Sequence, residues 1–154
     1  MKFEIKHRHT LSVLFSTEAE TLKEAVEEAV RKGTNLGGAD LRGANLGAAN
    51  LGGAGLGGAN LGGANLYGAK IRDDITVSKA PLQLLGLTYP VIIWDHHMQI
   101  GCEFHSHDEW AAFDDAAIAA MDGRAARKFW DAHKAMLLAL CKSHAPADAA
   151  EEGV

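Results

Sequence analysis

Between Thr34 and Asp73 an aliphatic residue returns at every fifth position: Leu36, Leu41, Leu46, Leu51, Leu56, Leu61, Leu66 and Ile71. Two places before each stands a small residue: Thr34, then Ala39, Ala44, Ala49, Ala54, Ala59, Ala64 and Ala69. The position between them is Asn35, Asp40, Asn45, Asn50, Gly55, Asn60, Asn65 or Lys70. A spacing of five fits neither a helix face, which repeats near 3.6, nor a strand face, which repeats at 2. It points to a chain that winds, each turn stacking on the last. The competing explanation is a Gly-rich linker, but a linker has no reason to hold leucine in strict register.

The pattern, Ala-(Asp/Asn)-Leu-X-X, resembles the pentapeptide-repeat family, and the resemblance covers forty of the 154 residues. It implies a right-handed, four-sided β-helix with four pentapeptides per coil and therefore two coils. Leu36 would stack on Leu56, Leu41 on Leu61, Leu46 on Leu66 and Leu51 on Ile71, filling the axis while the small residues close the corners. Stacked coils would sit about 4.8 Å apart. The pairs Asp40/Asn60 and Asn45/Asn65 are placed to form polar ladders. The X positions are mostly glycine, and only Arg42, Tyr67 and Arg72 put sizeable groups there. The outer faces are thus nearly bare backbone. Each glycine adds about 0.5–1 kcal/mol of folding entropy cost relative to alanine in regular structure. Two such coils need caps at both ends.

The flanks supply candidates. Alternation in residues 2–7 and 12–16 predicts a short hairpin turning through Arg8–Leu11. Thr21 and Glu24 fit a capping box that opens a helix, with Leu22, Ala25, Val26, Ala29 and Val30 as its apolar stripe and Gly33 at its end. After Asp74 the period is lost. Ile75–Val77, Leu82–Leu85, Val91–Trp94 and Met98–Gly101 read as short strands, the last two as a hairpin. Ser106 and Glu109 form a second capping box. Asp114 or Asp115 caps a further helix that Asp122-Gly123 breaks. A last helix over residues 124–142 carries Phe129, Trp130, His133, Met136, Leu137 and Leu140 on one side. The expected architecture is therefore a β-solenoid plus α+β. Its parts are a hairpin and capping helix (1–33), the repeat (34–73), a strand-and-helix module (74–145) and a flexible tail (146–154).

The net charge of −5 is unevenly spread. Residues 1–33 balance six acids against six bases, whereas residues 95–154 carry eleven acids against five bases. A nucleic-acid binder shows the opposite sign, so direct nucleic-acid binding is not expected. The opening MKFEIKHRH lacks an apolar signal core, and no stretch has the composition of a membrane span. Cys102 and Cys141, the only cysteines, read as free thiols in a reducing cytoplasm.

Cys102, His105 and His107 are the metal candidates, with His96 and His97 nearby. Cys102-x-x-His105 is half of a four-ligand site, and no second CxxC or HxxxH completes it. No cofactor is expected, since neither GxxxxGK[ST] nor GxGxxG follows a strand. Glu103, Asp108, Glu109, Asp114, Asp115 and Asp122 occur with no Lys or Arg between them, and Trp110 lies within the run. Acids of this kind are either helix caps favoured by the dipole or a surface that imitates DNA phosphates, with Trp110 as an aromatic anchor.

Three functions follow as expectations. The first is a non-catalytic inhibitor whose acidic surface occupies a host DNA-binding protein. Some pentapeptide-repeat proteins are understood to act in this way on topoisomerases, with an acidic rod. The rod here is short and nearly uncharged, which moves the mimicry to the C-terminal module. The run IGCEFHSHDEWAAFDDAAIAAMDGRAARKFW and the lead-in TLKEAVEEAVRKG resemble segments of phage and prophage proteins, so a CRISPR effector complex is the natural target. The second is a structural module that forms a homodimer or larger oligomer through its last helix. The third is a small Cys/His metal enzyme.

Overall fold

The structure is a computed structural model that describes residues 1–72 and 75–146. The predicted tail beyond Pro146, and the passage from repeat to C-terminal module at Asp73 and Asp74, lie outside the described residues.

Strands β1 (Lys2–Lys6) and β2 (Val13–Glu18) form an antiparallel hairpin with a bulge at Ile5/Lys6. Helix α1 (Leu22–Arg31) follows and buries Ala25, Val26 and Ala29 of the predicted stripe, with Leu22 and Val30 partly buried beside them. Thr21 Oγ1 accepts from Glu24 N at 3.1 Å, but the Glu24 carboxylate reaches back to Glu20 N rather than to the cap residue itself.

In the repeat segment the chain comes back beside itself after twenty residues. Parallel bridges pair Asp40 with Asn60, Asn45 with Asn65 and Asn50 with Lys70. Leu46 N donates to Asn65 O at 2.8 Å, and Asn65 N to Ala44 O at 2.9 Å. All eight period-five aliphatics are buried, from 0% exposed at Leu36, Leu46, Leu61 and Leu66 to 7% at Leu56 and Ile71. The first seven pentapeptides each close with a tight turn in which an Ala N–H donates to the Leu carbonyl three residues back, as from Ala39 to Leu36 at 3.0 Å. The third residue of these turns has positive φ, as in a type II turn: Gly38, Gly43, Gly53, Gly58, Gly63, Gly68 and one non-glycine, Ala48. The second X position is therefore glycine-rich because the turn requires it. The Asn/Asp side chains also brace the turns. Asn35, Asp40, Asn45, Asn50, Asn60 and Asn65 each accept from the N–H two residues on. Of the two predicted ladders, Asn45/Asn65 forms, with Nδ2 to Oδ1 at 3.2 Å. Asp40 instead turns to the Arg42 guanidinium at 3.0 Å, which holds its carboxyl below the usual carboxylate range.

Both ends of the repeat are covered. Asp40 N donates to Lys6 O, Arg8 N to Gly38 O, and Asn50 N to Glu27 Oε2. At the other end Gly68 N donates to Val77 O, and the Gln83 amide bonds both Leu61 N and Ala59 O. Gln83 thus substitutes a side chain for a neighbouring strand.

Strands β3 (Lys70–Arg72) and β4 (Ile75–Thr76) pair antiparallel. Then β5 (Leu82–Leu84), β6 (Val91–Ile93), β7 (His97–Ile100) and β8 (Glu103–Ser106) form a four-stranded antiparallel meander. The last of these is absent from the sequence-based expectation. Ile92 and Trp94 pack into the core shared with the repeat and α1, while Val91 and Ile93 join a second core with the C-terminal helices. The apolar run VIIW is therefore buried on both faces, as a central strand requires. Helix α2 (His107–Ala112) has the predicted Ser106/Glu109 capping box with both bonds present.

Helix α3 (Asp115–His144) is one element interrupted at Asp122 and Gly123, whose φ/ψ are non-helical. Asp115 and Arg127 form an ion pair at 3.3 Å. In a straight helix twelve residues span about 18 Å, so the break folds the two arms back on each other. The longer arm buries Phe129, Trp130, Leu137 and Cys141. Met136, expected on that face, is 42% exposed.

Candidate partner-binding surface

The acidic residues occupy the margin from β8 through α2 to the break in α3. Glu103, on β8, pairs with His105 Nε2 at 3.0 Å. Glu109 closes the capping box, and its bond from Ser106 N holds its carboxyl below the ordinary range. Asp114 caps α3 by accepting from Ala117 N at 2.8 Å. Asp115 meets Arg127, which also reaches Asp131 at 3.6 Å. Asp122 accepts from Tyr89 O–H at 2.6 Å, a bond that pushes the phenol pKa up. Asp108 is exposed in the first turn of α2. Most of these carboxylates thus serve local order, and all but Glu103 remain exposed.

Trp110 corrects the sequence reading. It is 2% exposed, and its indole N–H donates to Met98 O at 2.8 Å. Its ring meets Phe113 and His105 edge-on at 5.4 and 5.1 Å and lies tilted against Trp130 at 5.3 Å. A side chain so placed is a core element and is no surface anchor. The turn of α2 that exposes Asp108 and Glu109 directs Trp110 inward, because a six-residue helix lying on a sheet has one covered face.

The metal candidates part ways. Cys102 is exposed in the β7–β8 turn. His105 stands between Glu103 and the rings of Trp110 and Phe113. His107 Nε2 lies 3.0 Å from His97 O, and burial lowers its pKa. Among the described residues no three His, Cys, Asp or Glu side chains gather in a metal-binding group. Two polar features escape sequence reading. Asp95 is a buried carboxylate bonded by Ser78 N and Oγ at 2.9 and 2.7 Å. The Arg72 guanidinium lies over Phe104 at 4.0 Å.

The geometry of the middle segment decides its kinship: a five-residue unit, a tight turn in each, and a twenty-residue return. The family model for pentapeptide repeats matches here in eight copies. Residues 34–73 are pentapeptide repeats. The pentapeptide repeats thus make up about a quarter of the chain, and the flanks fall outside that match. No curated protein and no solved structure matches the chain. Among the described residues no helix is long and apolar enough to cross a membrane.

Proposed function

We propose that this chain is a non-catalytic protein-interaction module in which the pentapeptide repeats form a stiff, nearly uncharged post. In this reading residues 34–73 are a two-coil, right-handed, four-sided β-helix. The twenty-residue return, equal to four pentapeptides, supports this. The contact face belongs to the C-terminal module. The observation that carries this is the exposure of Asp108, Glu109, Asp114, Asp115 and Asp122 along a stretch, residues 103–123, that contains no Lys or Arg. Such a face suits a basic groove. In its finer form the reading is an inhibitor from a phage or other mobile element. It would stand in for DNA phosphates before a host DNA-binding complex, a CRISPR effector being one candidate. With Trp110 internal, recognition rests on charge, so binding forms quickly and weakens steeply with salt.

The test is competition. A basic DNA-binding effector captured by the chain at low salt should lose its hold on DNA as the chain is added to saturation, and regain it at high salt. Asp108→Lys reverses one charge outside the helix caps and should weaken capture. An effector that keeps its DNA in saturating chain, or capture indifferent to both salt and Asp108→Lys, overturns the reading.

A further inference from the structure

The break in α3 does more than reverse the chain. It leaves a cavity of about 310 Å³ between the two arms and the β7–β8 edge, at the small end of the range for ligand pockets. Its walls are aromatic: Tyr89, Trp110, Phe129 and Trp130. Tyr89 and Phe129 meet edge-on at 5.1 Å, and Trp110 and Trp130 lie tilted with their centroids 5.3 Å apart. Two carboxylates, Glu103 and Asp122, also line it, with no Lys or Arg among the lining residues. Asp122 is held there by its non-helical backbone and by the Tyr89 hydroxyl. Trp130 is 4% exposed, and its indole Nε1 is buried with no hydrogen-bond partner among the described residues.

We propose that this cavity binds a small alkylated ammonium compound, of which choline is one example. Aromatic walls attract a poorly hydrated cation through their negative ring faces. The carboxylates of Glu103 and Asp122 balance its charge, which favours a cation over an anion. A purely apolar ligand would answer to the walls but leave the negative charge of the two carboxylates without a counter-ion.

The full chain is titrated with choline chloride at constant ionic strength, following tryptophan fluorescence, and in parallel with dimethylbutanol, its uncharged carbon isostere. Choline should give a saturable change and bind roughly tenfold or more tightly than the isostere, the contribution of a desolvated cation on aromatic faces. Glu103→Gln, checked for native circular dichroism, should weaken choline about two- to fivefold and leave the isostere unaffected. Equal affinity for choline and its isostere, no saturation by choline, or indifference to Glu103→Gln in the folded variant overturns the assignment.

Discussion

Gly38 is the point where the N-terminal hairpin closes on the pentapeptide repeats, and Gly38→Ala should be among the most damaging small substitutions in the chain. Its φ is +77°, and an added Cβ would lie 2.6 Å from the Cδ2 atom of His7. The His7 ring cannot easily swing aside. Its Nδ1 accepts from His9 N and Thr10 N, and its backbone bridges Ala39. Gly53 supplies the control: its φ is +81°, with nothing within 4 Å of the added atom. Both substitutions incur the left-handed backbone cost, about 1–2 kcal/mol. Only Gly38→Ala adds the steric conflict, about 1–3 kcal/mol for a packed site that must shift. For a chain of this length each kcal/mol moves Tm by about 2–4 °C, so Gly38→Ala should melt roughly 2–12 °C below Gly53→Ala. Urea unfolding followed by tryptophan fluorescence supplies the free energies. In a His7→Ala background the excess at Gly38 should largely vanish, because the conflict is with that ring. Equal losses at the two glycines, or an excess that survives removal of the imidazole, would refute the packing of hairpin on repeat.

Three further outcomes follow. Cys102 is exposed, whereas burial pushes the Cys141 thiol up to about 11; the native chain at neutral pH should therefore present one fast thiol to a disulfide reagent and the denatured chain two. His107 and His144 both have pKa values lowered from 6.5, chiefly by burial. The unfolded chain takes up those protons first, so their contribution is complete above about pH 6.5 and is lost as pH falls through the lower folded values; urea midpoints measured down to about pH 5 should decline, and His144→Gln should lessen the slope. Ser78→Ala removes one of the two bonds holding the buried Asp95 carboxylate and should cost about 1–3 kcal/mol in the same unfolding assay.

What can be read from sequence depends on whether a residue's partners lie close along the chain. The leucines of the repeat announce their burial by period alone, since each takes the same place in its five-residue unit and all are buried. The Asp122-Gly123 break and the Ser106/Glu109 box are local signals, and both appear in the structure. The glycines are harder: their number suggests bare faces, but those at the second X position answer to the positive φ of the turns, which only the bonds from Ala to Leu reveal. Strand β8 escapes because EFHS has no apolar alternation; its pairing with β7 makes it a strand. Trp110 sits in a helix too short to display a period, so its direction is set by Met98, twelve residues away. Asp95 and Ser78 are seventeen residues apart with nothing between them to link the two.

The register of the repeats is the premise on which the proposed post and its two caps rest. Nuclear Overhauser spectroscopy on the labelled full chain measures that register directly. Winding with a twenty-residue return predicts contacts from Asn45 to Asn65 and from Asn50 to Lys70, together with slow exchange of the Leu46, Leu51 and Asn65 amides. Sequential contacts alone, fast exchange across residues 34–72, or long-range contacts at a different offset would contradict it.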